Sequence, residues 1–206
     1  ASFVENVNGN YLHAISNTMY FNPAGSGTFT LNINGSDGGT GMHHVAFPDL
    51  DGSSTDWTPS GGTQDTTGTP FSETYSWIPG ASSPGTGLIA TGVDNAGNSA
   101  TSTFNVIADT GVPTGQTISY PDGPTNAANV SISFSAGSDA VSGLGSWKIQ
   151  RREATLTNGT CGTYGAWTDL ITGSPASPQT DATIVDGTCY QYQIEARDRV
   201  DNIVTK

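Results

Sequence analysis

The sequence predicts an all-β protein made of two tandem β-sandwich domains. Three observations carry this. Glycine (27 residues) and proline (11) are frequent, with serine and threonine spread between them, as in chains of short strands and turns. No stretch of about ten residues has the apolar spacing of a helix. The chain also repeats itself at about 100 residues, one sandwich length.

The repeat has two parts. "FTLNINGSDGGTGMHHVAF" lies over "VSISFSAGSDAVSGLGSWKI", each an alternating strand, then Gly-Ser-Asp, then a second alternating strand. The carboxylates here are Asp37 and Asp139. Further on, Asp94-Asn95-Ala96-Gly97-Asn98 matches Asp198-Arg199-Val200-Asp201-Asn202. Because Asp201 stands where the first copy has Gly97, the second turn is expected to differ.

In the first copy, strands are expected at residues 18–22, 27–34, 42–47, 71–78, 86–94 and 99–107. In the second they are expected at 116–120, 129–135, 146–152, 164–169, 180–184 and 188–197. Phe29, Leu31 and Ile33 alternate with Thr30 and Asn32, which buries one face and wets the other. Tyr190, Tyr192, Ile194 and Ala196 alternate with Gln191, Gln193 and Glu195 in the same way.

"GTCYQYQIEARD" resembles the penultimate strand of a fibronectin type III domain. The resemblance implies that Tyr190 makes the tyrosine corner. "GVDNAGN" followed by "DTGVPTG" is similar to the joints of tandem bacterial immunoglobulin-like repeats in large extracellular surface proteins. The fold class so implied is two tandem immunoglobulin-like, fibronectin III-like sandwiches. Domain 1 spans 18–109 and domain 2 spans 110–206, with 1–17 a strand or linker segment. Domain 2 is expected to lack its last strand, because the chain ends where the first copy enters residues 99–107. "ASFVENV" reads as an extra strand, and Phe3, Val4 and Val7 are its candidates for donation to a neighbouring domain. The chain is thus expected to be one period of a head-to-tail array, covalent or strand-donated.

Charge limits the partners. The net charge is −12, and all six basic residues lie at or after Lys148. Such a chain does not bind nucleic acid by neutralising phosphates, and anionic membranes repel it. Cys161 and Cys189 are expected to form a disulfide if the domain is secreted; free thiols in a reducing compartment are the alternative.

The histidines His43 and His44 are adjacent in a strand, so alternation sends them to opposite faces. No nucleophile elbow, zinc-protease helix or phosphate loop occurs, and no enzyme is expected. Calcium is the ligand candidate, since it takes oxygen donors from carboxylates, amides and carbonyls. Asp94, Asn95 and Asn98 in the turn and Asp109 in the linker are its expected ligands, by likeness to the bacterial repeats. The competing reading is that Asp94 and Asn98 cap the turn. Trp57, Trp77 and Trp167 would bind glycan if exposed in a row, and are expected instead in the core or anchoring loops. Asn34, Asn129 and Asn158 stand in glycosylation-type triplets. The expected function is a structural repeat of an extracellular bacterial fibre or stalk, with a carbohydrate-binding or adhesin module as the alternative.

Overall fold

The computed structural model describes residues 1–52 and 54–206, and the chain divides into two compact units, Ala1–Thr110 and Gly111–Lys206. Both are all-β, with no α-helix among the described residues.

The first unit contains β1 (Ser2–Val7), β2 (Leu12–Ile15), β3 (Thr18–Phe21), β4 (Gly27–Ile33), β5 (Met42–Phe47), β6 (Trp57–Thr58), β7 (Thr63–Asp65), β8 (Phe71–Trp77), β9 (Gly85–Asp94) and β10 (Ser99–Ala108). One sheet has the order β1-β4-β8-β6 and the other β2-β3-β10-β9-β5-β7. All pairings are antiparallel except β3 with β10, which is parallel. Strict alternation in β4 buries Phe29, Leu31 and Ile33 and turns Thr30 and Asn32 outward. The inward faces of both sheets feed one core. Its centre is aromatic: Phe21 meets Trp57 at 5.0 Å and Trp77 at 5.3 Å, and Phe29 meets Tyr75 at 5.6 Å. The first two contacts are edge-on, a geometry that contributes about 0.5–1.5 kcal/mol per pair beyond burial. Gly27 is required here, because a Cβ would stand 2.3 Å from the Trp77 indole.

The second unit contains β11 (Thr117–Ser119), β12 (Val130–Ser135), β13 (Leu144–Thr157), β14 (Thr160–Cys161), β15 (Thr168–Ile171), β16 (Gln179–Asp181), β17 (Thr188–Asp198) and β18 (Ile203–Thr205). One sheet has the order β11-β12-β16; the other runs β14-β13-β17-β18, with β15 also on β13. Its core is smaller, built on Val130, Ile132, Ile149, Tyr192 and Ile194. Two covalent or polar devices supplement it. Cys161 and Cys189 form a disulfide with Cα atoms 5.9 Å apart. Closing a loop of 28 residues stabilises by roughly 3–4 kcal/mol in the chain-entropy account. The Tyr190 phenol accepts the Val185 N–H at 2.8 Å and ties the chain before β17 to that strand.

Three expectations need correction. Residues 1–17 do not stand apart from the first unit: β1 pairs with β4, and β2 pairs with β3. The "LHAI" of β2 is too short for its alternation to register in the sequence. The last strand of the second unit is present. Short β18 pairs Ile203, Val204 and Thr205 with Arg197, Ala196 and Glu195. The turn before it keeps the form of its counterpart, with Asp198 bonded to Val200 and Asn202 as Asp94 is to Ala96 and Asn98.

A buried ion pair fixes the second unit's two sheets. The Asp181 side chain is fully buried and accepts hydrogen bonds from Arg151 Nη1 (2.6 Å), Tyr192 Oη (2.9 Å) and the Thr183 amide (2.9 Å). Burial pushes the Asp181 carboxyl up, but hydrogen bonds from Thr183, Arg151 and Tyr192 outweigh it and hold it below its ordinary value of 3.8. A depressed carboxylate contributes stability above its unfolded value, and that contribution is lost as pH falls through the folded value. Asp181→Asn should therefore destabilise the second unit by roughly 3 kcal/mol at neutral pH. In urea titrations that difference should shrink as the pH is taken below 3.8.

Candidate functional site

Each unit builds the same pair of aspartate-capped turns. An aspartate tolerates tight turns because its side chain accepts backbone amides two and four residues on. Asp94 Oδ1 accepts the amides of Ala96 and Asn98, both at 2.8 Å, while Oδ2 accepts Asn98 Nδ2 at 2.7 Å. In the second unit Asp198 Oδ1 accepts Val200 (2.9 Å) and Asn202 (2.8 Å), and Oδ2 accepts Asn202 Nδ2 (2.6 Å). Asp37 accepts the amides of Gly39 and Gly41; Asp139 accepts those of Val141 and Gly143.

The turn expected to differ has the same geometry. Gly97 has φ 88°, and Asp201 at the matching place has φ 69°. A left-handed backbone costs a side-chain-bearing residue about 1 kcal/mol. Arg197 Nη1 donates to Asp201 Oδ1 at 2.7 Å and helps hold it there.

In the first unit these turns rim a cleft of about 420 Å³, whose wall includes Asp37, Met42, Asp94, Asn98, Thr101 and Ala90. The carboxylates at its rim are engaged by amides. Hydrogen bonds from Asn98, the largest influence, and from the Asn98, Ala96 and Gly97 amides hold the Asp94 carboxyl below its ordinary value. Asn95 turns its Nδ2 to the carbonyls of Thr40 and Gly41, so it presents a donor there.

The expected calcium ligands do not assemble. Asp94, Asn95 and Asn98 sit before β10, and Asp109 follows its other end. Ten residues of strand at about 3.3 Å each separate them by roughly 30 Å. Asp109 is buried, and its amide donates to the Phe21 carbonyl at 2.8 Å.

The strand-donation residues lie on β1, at the edge of their own sheet. Phe3 packs edge-on against Phe29 (5.8 Å) and Phe104 (6.2 Å). Val4 and Val7 are about half exposed. Alternation alone would put Phe3 and Val7 on one face, but a bulge between Glu5 and Val7 inserts Asn6 and turns Val7 outward.

Trp57 and Trp77 are buried, with their indole N–H groups donating to Ser82 and Gly25 carbonyls. Trp167 is half-buried and stacks on the Arg152 guanidinium at 4.5 Å, with Tyr164 at 5.2 Å from the same group. The tryptophans thus form no exposed row. Asn34, Asn129 and Asn158 are exposed. The adjacent histidines depart from expectation: His43 and His44 meet, because a bulge breaks the alternation. No helix among the described residues is long and apolar enough to cross a membrane.

No protein-family model matches the chain, and no curated protein is significantly similar to it.

If Asp94 is a turn cap, Asp94→Ala should lower the melting temperature of the first unit. The loss should be equal in calcium and in a calcium chelator, as read by scanning calorimetry. A loss seen only with calcium would make Asp94 an ion ligand.

Proposed function

We propose that the chain is a structural segment of an extracellular bacterial fibre or stalk, made of tandem immunoglobulin-like repeats whose role is mechanical. The observation that carries this is the duplication of the same two aspartate-capped turns, hydrogen bond for hydrogen bond, in successive units. Repetition of the same supporting device in successive units is what a spacer needs.

The strand orders support the immunoglobulin-like assignment. β1-β4-β8-β6 beside β3-β10-β9-β5-β7 follows the two sheets of an immunoglobulin sandwich, the parallel β3–β10 pair included. β11-β12-β16 beside β15-β13-β17-β18 follows the fibronectin type III arrangement. The disulfide fits an oxidising compartment. Residues 1–147 contain no Lys or Arg, which denies trypsin-like proteases a cleavage point across that length. Neighbours in the fibre would be further repeats. The place of β1 in its own sheet favours covalent linkage over donation, since a donated strand would have to leave Phe29 and Phe104.

Single-molecule stretching between Ala1 and Lys206 tests the role. Two separate unfolding events are expected. The second unit's should be shortened by about 100 Å, from 28 residues held by the disulfide at about 3.6 Å each, and lengthened by reductant. Extension without resolved unfolding events would contradict a mechanical role.

A further inference from the structure

The fold brings His43 and His44 together but does not require imidazoles at these positions. Their Nδ1 atoms are 2.8 Å apart and their ring centroids 4.9 Å apart, edge to face. The bulge that brings them together lies between the pairs Met42–Asp94 and His44–Val93, with His43 as the extra residue. The second unit has the same bulge between Leu144–Asp198 and Ser146–Arg197, with Gly145 as the extra residue. There a Cβ would stand 2.4 Å from the Asp198 carbonyl oxygen, so glycine suits the bulge and no imidazole is needed for it. The first unit carries two imidazoles where its repeat carries Gly145 and Ser146.

Two imidazole nitrogens facing each other at this distance share one proton: one donates and the other accepts. When the donating ring carries its proton on Nε2 instead, by exchange through water, both Nδ1 lone pairs are open to a metal ion. Two nitrogens bound tetrahedrally at about 2.0–2.1 Å from zinc stand roughly 3.3 Å apart, so with that tautomer an ion enters after a shift of about 0.5 Å. His43 is exposed, which gives an ion access. The first unit has no Lys or Arg, so the local field attracts cations. Imidazole donors select borderline metals and not calcium, which takes oxygen. Among the described residues no third histidine, cysteine or carboxylate side chain completes a protein cage at this pair.

We propose that His43 and His44 form a two-imidazole surface site for a divalent transition-metal ion of the zinc class, with water filling the remaining positions. The test is a zinc(II) titration of the full chain, followed by ¹⁵N NMR of the histidine rings, with His13 as internal reference. Saturable one-to-one shifts of both the His43 and His44 Nδ1 resonances, larger than those at His13, are expected. His43→Gln and His44→Gln should each weaken binding by roughly tenfold or more. Both variants can be checked for folding by their backbone spectra. Shifts confined to one of the two rings, equal shifts at His13, or unchanged affinity in either variant would overturn the proposal.

Discussion

The carboxylate–amide hydrogen bond at a tight turn is the interaction that holds both units in register. A hairpin between long strands must reverse within five residues, and its amides need acceptors once they leave the ladder. Asp94 and Asp198 supply them at the β9–β10 and β17–β18 reversals. Asp37 and Asp139 do so on the approach to β5 and β13. The facing bulges, at His43 and Gly145, then fit against residues of the same hairpins. Four aspartates thus fix four chain reversals, and the sheets take their register from them.

The two units solve the problem of a sufficient core differently. The first relies on an aromatic centre of Phe21, Phe29, Trp57, Tyr75 and Trp77. The second has fewer large apolar side chains and adds a disulfide and the Arg151–Asp181 pair. This difference matches the placement of charge. Every basic residue lies in the second unit, where Lys148, Arg151 and Arg197 all pair with carboxylates. The first unit has no Lys or Arg to pair, and its carboxylates bind backbone amides instead.

The strands of the central sheets are legible in the sequence because burial on one face forces alternation, as in β4 and β17. The repeat is legible because its aspartates are needed for geometry. Features that alternation cannot express stay hidden. The bulges at Asn6 and His43 each insert one residue and reverse the facing of the residues after it, so Val7 turns outward and two histidines meet. The edge strands β2 and β18 carry too few buried residues to signal themselves. Asp201 shows that a glycine in one copy does not make glycine a requirement of the turn. Aspartate enters the left-handed region at modest cost, and here Arg197 pairs with it. The calcium set fails on distance, since residues close in sequence to either end of β10 stand a full strand apart.

Each of these aspartates accepts a backbone amide at its turn, and the caps are expected to form without an ion. Amide hydrogen exchange on the calcium-free protein tests this most directly. The amides of Gly41, Asn98, Gly143 and Asn202 should be protected, and adding calcium should leave their exchange rates unchanged. Fast exchange at these four amides in calcium-free buffer, with protection appearing only when the ion is added, would contradict it.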